Sequence, residues 1–194
     1  MSRLKKVLCS VGAIVALITG GVTVNDAEYT RAIGQVQIAG VTDDSELRIS
    51  TRALDIIGNA EGCRRDPYRC PAGLTTNGIG NTHGVINGNV SDEQIAKDWI
   101  KNIQSAERCL FDWKADTPLT QGHIDAFTSF IFNTGCSRFR YNANGTETQI
   151  GKFVRLGYYE LACHQLNRWV KGGGVTLPGL VTRRQEETDV CLSP

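Results

Sequence analysis

Seven cysteines among 194 residues constrain this chain more than any other feature of its sequence. They are spread along its length with no Cys-x-x-Cys spacing, and the three histidines form no cluster with them, so neither a metal site nor a cofactor is predicted. A cysteine content this high is typical of proteins that form disulfides in an oxidising compartment. Because the number is odd, at least one cysteine must lie outside the intrachain disulfides. The seven are Cys9, Cys63, Cys70, Cys109, Cys136, Cys163 and Cys191.

The N-terminus indicates how the chain leaves the cytoplasm. Basic residues at positions 3, 5 and 6 precede a charge-free stretch over residues 7–24. The basic flank favours a cytoplasmic N-terminus with the rest of the chain exported, and about 18 residues is near the lower limit for spanning a bilayer. Glycine, serine and threonine dilute this stretch. A cleaved signal peptide is the alternative, although no clean Ala-x-Ala site follows the apolar core. Residues 1–24 are predicted to be a membrane anchor.

The remaining residues divide into a polar segment and a globular domain. Residues 25–49 are mixed and polar, without a sustained helical or strand period, so we predict a linker there, with short local structure at most. A helix is expected after Ser50, because serine is a good N-cap and apolar residues follow at helical spacing as far as Gly62. The globular domain is therefore predicted over residues 50–194.

The pattern within the globular domain changes from hairpins to helices. Residues 64–88 alternate short strand-like pieces with proline and glycine, which is typical of β-hairpins. Helical segments with an apolar face follow, beginning near Ser91, Thr120, residue 148 and residue 181. This order predicts an α+β fold with a small hairpin lobe and a larger helical lobe. The formal net charge of +1 gives no indication of a nucleic-acid partner.

Glu61 is the first candidate for chemistry. A carboxylate that ends a helix just before a hairpin faces any cleft between two lobes, where it could serve as a general acid. The alternative is a solvated glutamate at a helix end, which is the commoner situation. The residue alone does not decide between the two.

Three motifs that occur in order resemble those of the phage-type lysozymes, glycoside hydrolase family 24. Glu61-Gly62 precedes a hairpin that contains Thr76-Asn77-Gly78-Ile79-Gly80, residues 119–135 resemble the family's central helix, and residues 168–187 resemble its C-terminal signature. The resemblance covers residues 50–194. It implies a lysozyme-like, two-lobed α+β fold in which a long helix joins a small β-hairpin lobe to a larger helical lobe, preceded here by the N-terminal apolar anchor.

The resemblance also implies roles for individual residues. Glu61 would protonate the glycosidic oxygen between N-acetylmuramic acid and N-acetylglucosamine, and enzymes of the family typically invert the anomeric configuration with a water held by an aspartate and a threonine. Thr76 matches that threonine. The position of the aspartate is held by Cys70, whose thiolate could orient or deprotonate the water. Asp66 is interpreted as a structural carboxylate paired with an arginine, and Asn81 replaces a histidine that is common in the family.

Cys9, Cys63 and Cys70 together resemble the signal-anchor-release endolysins that are activated by disulfide exchange. The resemblance implies an inactive form in which a Cys63–Cys70 disulfide masks Cys70 while Cys9 lies in the membrane. Release of the anchor would let the Cys9 thiol attack that disulfide, pair with Cys63 and liberate Cys70. The alternative is an idle Cys9 beside a permanent Cys63–Cys70 disulfide.

The other cysteines and two cleft candidates complete the predicted set. The four remaining cysteines allow three pairings, of which Cys109–Cys136 with Cys163–Cys191 is preferred because each bond ties consecutive helical segments. Asn133 is a candidate sugar contact by resemblance. Trp169 is interpreted either as a border of the saccharide cleft or as a core residue.

Two other functions remain open at this point. A lytic transglycosylase would need Glu61 but no partner that activates water, and would leave a 1,6-anhydro product. A non-catalytic peptidoglycan-binding module would hold glycan without cutting it, although the presence of both Glu61 and Thr76 argues against this. On the lysozyme reading, the partners are peptidoglycan strands and the host inner membrane. The protein would be a monomer, tethered to the periplasmic face of that membrane and then released into the periplasm.

Overall fold

The computed structural model describes residues 6–21, 26–36, 38, 46–70 and 73–193, which form helices and two-stranded antiparallel sheets. In the N-terminal half the elements are α1 (Val11–Thr19), α2 (Asp26–Tyr29), β1 (Ala32–Gln35), β2 (Glu46–Ser50), α3 (Thr51–Glu61), β3 (Arg64–Arg69), β4 (Thr75–Gly78) and α4 (Asp92–Phe111). In the C-terminal half they are α5 (Gln121–Thr134), α6 (Cys136–Arg140), α7 (Gln149–Arg155), α8 (Tyr159–Cys163), a 3-10 turn (Leu166–Arg168), β5 (Lys171–Gly172), β6 (Val175–Thr176) and α9 (Pro178–Cys191).

Helix α3 begins and ends where the sequence predicts. The Ser50 hydroxyl accepts the Ala53 amide as N-cap, and the helix stops at Gly62, whose φ of 68° lies in the region that favours glycine. Glu61 is therefore the last helical residue. Strand β3 starts three residues later, at Arg64, so the chain turns directly from this carboxylate into the predicted hairpin.

The hairpin of β3 and β4 is antiparallel and irregular. Tyr68 lies opposite Thr76 and Arg69 opposite Thr75, and the register shifts between Arg64 and Tyr68. At the closed end the Cys70 amide donates to the Leu74 carbonyl over 2.9 Å. Cys70 and Thr76 are thereby held on the two arms of one hairpin.

The long helix α4 joins two cores. Its first half, including Trp99 and Ile103, packs with β2 and α3 in one buried cluster, whereas its last turns, including Leu110, pack with α5 in a second cluster. This arrangement confirms the predicted α+β fold of lysozyme type with a long connecting helix.

The N-terminal apolar segment forms a short helix that packs into the first core. Helix α1 has nine residues, and Ile14, Val15 and Ile18 on one of its faces are buried. A Cβ atom added to Gly58 of α3 would lie 2.3 Å from Cγ1 of Val11, so the absence of a side chain at Gly58 permits this close approach. No helix among the described residues is long and apolar enough to cross a membrane.

The segment predicted as a linker contributes to the fold. Residues 26–35 form α2 and β1, and β1 pairs with β2 in an antiparallel sheet. Leu47 and Ile49 of β2 are fully buried. Two buried carboxylates bind the backbone of β2: Glu107 accepts the amides of Arg48 and Ile49, and Asp125 accepts the amide of Ser50. Part of residues 25–49 thus packs into the core, although the segment has no sustained helical or strand period.

Three disulfides cross-link the chain. Cys109 pairs with Cys136 and Cys163 with Cys191, which confirms the preferred pairing of these four cysteines. The third bond joins Cys9 to Cys63 and so fixes the N-terminal segment to the start of β3. Cys70 lies outside the three disulfides and is half-buried.

Candidate active site

Glu61 faces a cleft and is held by a buried arginine. Its Oε1 accepts a hydrogen bond of 2.7 Å from Nη1 of Arg183, whose side chain is only 3% exposed, while the Glu61 side chain keeps 23% of its surface exposed. Substrate can therefore reach the carboxylate, whereas the guanidinium that positions it is shielded from solvent.

Arg183 is fixed by further partners on two helices. Its Nε donates to Glu187 on the same helix over 3.0 Å, and its Nη2 donates to the Ser129 carbonyl on α5 over 2.9 Å. The Ser129 hydroxyl also donates to Glu187 over 2.7 Å. A guanidinium has five N–H groups in a rigid plane. Because all three nitrogens of Arg183 donate hydrogen bonds, the group has little freedom to rotate.

Arg184 extends this network to Asn133. It forms an ion pair with Glu187 and donates to Oδ1 of Asn133. Its Nε donates to the Trp169 carbonyl, and its guanidinium lies 4.7 Å from the centroid of the Phe130 ring. Since arginine carries only donors, the Asn133 oxygen must face it, and the Asn133 amide NH₂ is left for other partners.

A cleft of about 470 Å³ lies beside Glu61. Glu61 and Asn133 line it from one side, and the start of α9 closes the other. The α9 side contributes Leu177, Gly179, Leu180, Thr182, Arg183 and Glu186. Among the described residues, Cys70, Thr76 and Trp169 do not line this cleft. Trp169 instead packs edge-on against Phe130 in the second core, at a centroid distance of 5.2 Å, which agrees with its core interpretation.

The hairpin approaches Glu61 closely from the opposite side. A Cβ atom on Gly80 would lie 3.0 Å from Oε2 of Glu61, and the φ of 67° at Gly80 is one that other residues rarely adopt. Both facts favour glycine at this position. Gly80, the second glycine of the Gly-Ile-Gly sequence, therefore permits close packing against the carboxylate.

Cys70, Thr76 and Tyr68 lie on the hairpin of β3 and β4, outside the set of residues that line the cleft beside Glu61. Thr76 is buried, and its hydroxyl donates to the Leu74 carbonyl over 3.2 Å, so its oxygen can accept a further proton donor. Burial raises the pKa of the Tyr68 phenol, as do the charges of Glu61 and Cys70, while Arg64 opposes them. The Tyr68 phenol thus lies within electrostatic range of both Glu61 and Cys70.

Comparison with known proteins agrees with this geometry. A family model described as phage lysozyme matches residues 58–187. The chain belongs to the phage lysozyme family. Its relatives include the SAR-endolysin of Escherichia phage P1, which is 44% identical over 164 residues that cover 81% of this chain and 89% of the relative.

Two crystal structures of the P1 endolysin Lyz resemble this phage lysozyme to different extents. The active form superimposes with a TM-score of 0.75 at 38% identity, covering 96% of this chain and 95% of that one. The secreted inactive form gives a TM-score of 0.55 at 43% identity and covers 75% of this chain and 96% of that one. As a member of the family, the protein is a muramidase that acts on peptidoglycan.

An amide network replaces the histidine that is common after the hairpin of phage lysozymes. Asn81 is buried and donates to Oδ1 of Asn77 and to the His83 carbonyl, while its own oxygen accepts from Asn102. These bonds tie the hairpin to α4. Asn81 and Asn77 are therefore structural links in this phage lysozyme. Among the described residues, no group of three or more His, Cys, Asp or Glu side chains could hold a metal ion.

Sequence reasoning identified some members of the site and missed others. Asp66 pairs with Arg64, as predicted for a structural carboxylate. Arg183 and Glu187 entered only as part of a C-terminal signature, since nothing in a helical Arg-Arg-x-x-Glu pattern indicates that it is buried against a glutamate 122 residues away. Tyr68 was not singled out at all. The available signal was the spacing of Tyr68, in β3, and Cys70, directly after it. Residues two positions apart in an extended chain project from the same face.

Proposed function

We propose that this protein is an endolysin muramidase that hydrolyses the β-1,4 bond between N-acetylmuramic acid and N-acetylglucosamine and so lyses the host cell. The observation that carries the proposal is the Glu61 carboxylate, exposed to the cleft and bound by a buried arginine. In this role Glu61 gives its proton to the glycosidic oxygen as the bond to the anomeric carbon breaks. Arg183 then stabilises the carboxylate that remains.

Cys70 and Thr76 are proposed to hold the attacking water. The Thr76 hydroxyl proton is used by the Leu74 carbonyl, so its oxygen accepts a hydrogen bond from one O–H of the water, and that proton stays on the hydroxyl formed at the anomeric carbon. The Cys70 thiolate accepts the other as the water oxygen bonds to the anomeric carbon from the face opposite Glu61. Attack from that face inverts the configuration. The water proton ends on sulfur and the Glu61 proton on the leaving oxygen, so the step balances.

Asn133 is proposed to contact the sugar through its amide. With its oxygen bound to Arg184, the side chain offers N–H donors at the edge of the cleft, which suits an acetamido or hydroxyl oxygen of the glycan. Trp169 has no direct part in this proposal and supports Arg184 through its carbonyl.

Disulfide exchange is proposed to switch the enzyme on. In the inactive form Cys63 is bonded to Cys70, and Cys9 lies in the inner membrane. After release, the Cys9 thiolate attacks Sγ of Cys63, the new bond is Cys9–Cys63, and Cys70 leaves as a thiolate. One disulfide is consumed and one is formed, so no external oxidant is needed. The Cys9–Cys63 bond and the closer likeness to the active P1 form support this sequence of events.

The location follows from the same proposal. Residues 7–24 anchor the inactive enzyme at the periplasmic face of the inner membrane, and the released enzyme works as a monomer in the periplasm. Glycine, serine and threonine in this segment make it only marginally apolar, so its exit from the bilayer costs less than for a leucine-rich helix. In the released state α1 buries its apolar face in the first core instead.

Replacement of Glu61 by Gln tests the catalytic assignment. A lost general acid lowers kcat by about 10²–10⁴-fold, measured as reducing ends released from purified peptidoglycan. Glu186→Gln is the matched control on the other wall of the cleft and should stay within about tenfold of wild type. Products with 1,6-anhydro ends would show a lytic transglycosylase instead, and an unaffected Glu61→Gln variant would refute the assignment.

Replacements of Cys9 and Cys70 test the switch. Cys9→Ser should be inactive until a mild reductant opens Cys63–Cys70, whereas wild type released from the membrane needs no reductant. Cys70→Ser should cripple lysis, and Cys70→Asp should restore activity and remove the redox control. Full activity of Cys9→Ser without reductant would refute the switch while leaving the muramidase assignment intact.

A further inference from the structure

Tyr68 lies between the two halves of the catalytic site. It faces Thr76 directly across the antiparallel hairpin, and residues that are opposite one another project from the same face of the sheet. Its phenol also interacts electrostatically with Glu61 and with Cys70. Tyr68 is thus opposite Thr76 across the hairpin, two residues from Cys70 along the chain, and within electrostatic range of Glu61, and these are the three residues to which the proposed mechanism gives a role.

Arg64 packs over the face of the Tyr68 ring. The Arg64 guanidinium lies 4.4 Å from the ring centroid, a cation–π contact. Asp66 holds that guanidinium through a bidentate ion pair. Both side chains are only partly exposed, at 22% for Arg64 and 18% for Asp66. The contact of the arginine with the ring therefore depends on Asp66.

The N-terminal segment in turn fixes Asp66. The Val7 amide donates to Oδ1 of Asp66 over 2.8 Å, and the Val7 carbonyl accepts the Arg65 amide over 2.8 Å. Leu8 forms an antiparallel bridge with Arg64. Arg64 is also paired with Gly78 of β4, so at this position β3 lies between β4 and the N-terminal residues, next to the point where the register between β3 and β4 shifts.

We propose that Tyr68 is a positioning residue for the Cys70 and Thr76 side of the site, and that the N-terminal segment before α1 holds it in place through Asp66 and Arg64. Val7 is two residues from Cys9, so its contact with Asp66 belongs to the arrangement that the Cys9–Cys63 disulfide fixes. The exchange then has two results: it liberates the Cys70 thiol, and it completes the chain of contacts that orders the phenol beside that thiol. The inference rests on the proposed function.

A neutral phenol can donate a hydrogen bond to the Cys70 side of the site. Tyr68 is neutral near pH 7, because its environment raises the pKa of the hydroxyl further above its ordinary value. A neutral phenol donates one proton, and donation toward a thiolate or toward the water beside it stabilises the charged form of Cys70. Loss of the hydroxyl should therefore raise the pH at which Cys70 becomes active.

Three variants of the full-length protein test the series of contacts from Val7 through Asp66 and Arg64 to Tyr68. In each variant the Cys9–Cys63 bond is verified by peptide mapping. Tyr68→Phe keeps the ring under Arg64 and removes the hydroxyl. Asp66→Asn can still accept the Val7 amide but loses the ion pair with Arg64, and Val7→Pro removes the amide donor and also fixes φ at this position. Asp92→Asn is the matched control, since Asp92 pairs with the adjacent Arg65, which donates to the Leu8 carbonyl.

The readouts are kcat, KM and the pH dependence of kcat on purified peptidoglycan. Tyr68→Phe should lower kcat about tenfold with KM nearly unchanged, and the rising limb of the pH profile should move to higher pH. Asp66→Asn and Val7→Pro should shift the profile in the same direction by less, and Asp92→Asn should leave it in place. Unshifted profiles in all three variants would overturn the inference. If Cys70→Ser is inactive at the same time, the proposed function still stands.

Discussion

The two sides of the proposed catalytic site are supported in opposite ways. On the acid side, Glu61 is bound by Arg183, which is bound by Glu187 and Ser129, and all three supporting residues are buried in the helical lobe. On the water side, Cys70 and Thr76 belong to a small hairpin whose outer strand pairs with the N-terminal segment. The acid is thus fixed by the permanent core, whereas the water side depends on a segment that the proposed switch moves.

This difference explains why the proposed redox control would act on the hairpin without loss of the fold. A disulfide exchanged on the hairpin changes contacts in a two-stranded sheet, which is marginally stable on its own. An exchange inside the helical lobe would disturb a core that the Cys109–Cys136 and Cys163–Cys191 bonds already fix. The fixed side and the variable side of the site can be distinguished by four substitutions.

The largest effect is expected on the acid side, at Glu187. Glu187→Gln leaves the buried Arg183 and Arg184 without their shared carboxylate, and the loss of one partner from a buried ionic network costs about 3–5 kcal/mol of unfolding free energy. Chemical denaturation measures the change. Glu186→Gln, the exposed neighbour on the same helix, should change the free energy of unfolding by less than about 0.5 kcal/mol. Equal effects of the two variants would contradict a fixed acid side.

The next largest effect is the pH dependence of stability that comes from Glu107, the residue of α4 that binds the backbone of β2. Burial raises the pKa of Glu107 from 4.5 to about 7, although the amides of Ile49 and Arg48 oppose the rise. A raised folded-state pKa means that stability is fully present below about pH 4.5 and is lost as the pH rises through about 7. The loss is about 3 kcal/mol by pH 8.

Glu107→Gln should remove most of this pH dependence, because the glutamine carbonyl still accepts both amides and carries no charge. Thermal unfolding midpoints at pH 5 and pH 8 test the point. The wild-type midpoint should fall between these pH values and that of the variant should stay nearly level. An equal fall in both proteins would assign the pH dependence to other groups, of which the buried Asp125, whose pKa burial also raises, is the first candidate.

A smaller effect is expected from a substitution that disturbs the packing of α1 against α3. The Cβ atom in Gly58→Ala would lie 2.3 Å from Cγ1 of Val11 and 3.2 Å from the Trp99 ring. Such overpacking costs about 1–3 kcal/mol, and it should loosen α1 selectively, seen as faster amide exchange in α1 than in α5. Gly179→Ala, in a helix with open space around it, should be neutral or stabilising by about 0.5–1 kcal/mol. Uniform exchange rates in the Gly58→Ala variant would argue against separate behaviour of the two regions.

Sequence patterns predicted the fold better than the supports of the site. Helix α3 could be bounded because Ser50 and Gly62 are local signals, and Glu61, Cys70 and Thr76 could be chosen because they lie within one contiguous motif. The support of Glu61 by Arg183, or of β2 by Glu107, depends on contacts 122 and 59 residues apart, and no local pattern encodes such a contact. The core role of β2 was missed for the same reason: its burial depends on contacts with α3, α4 and α5.

The smallest effect should come from the contact of the N-terminal half with the outer face of α3. The Tyr29 hydroxyl donates to Oδ2 of Asp55 over 2.9 Å, and burial together with Asp55 raises the pKa of Tyr29 to about 12. Tyr29→Phe removes one partly exposed hydrogen bond, so the free energy of unfolding should fall by about 1 kcal/mol. The exposed Tyr158, replaced by Phe in the helical lobe, provides the control and should show no measurable change. If Tyr29→Phe also leaves lytic activity intact while Val7→Pro does not, the water side depends on the strand beside β3 and not on attachment of the N-terminal half in general. Equal losses of activity in both variants would instead make the whole N-terminal half one cooperative support of the hairpin.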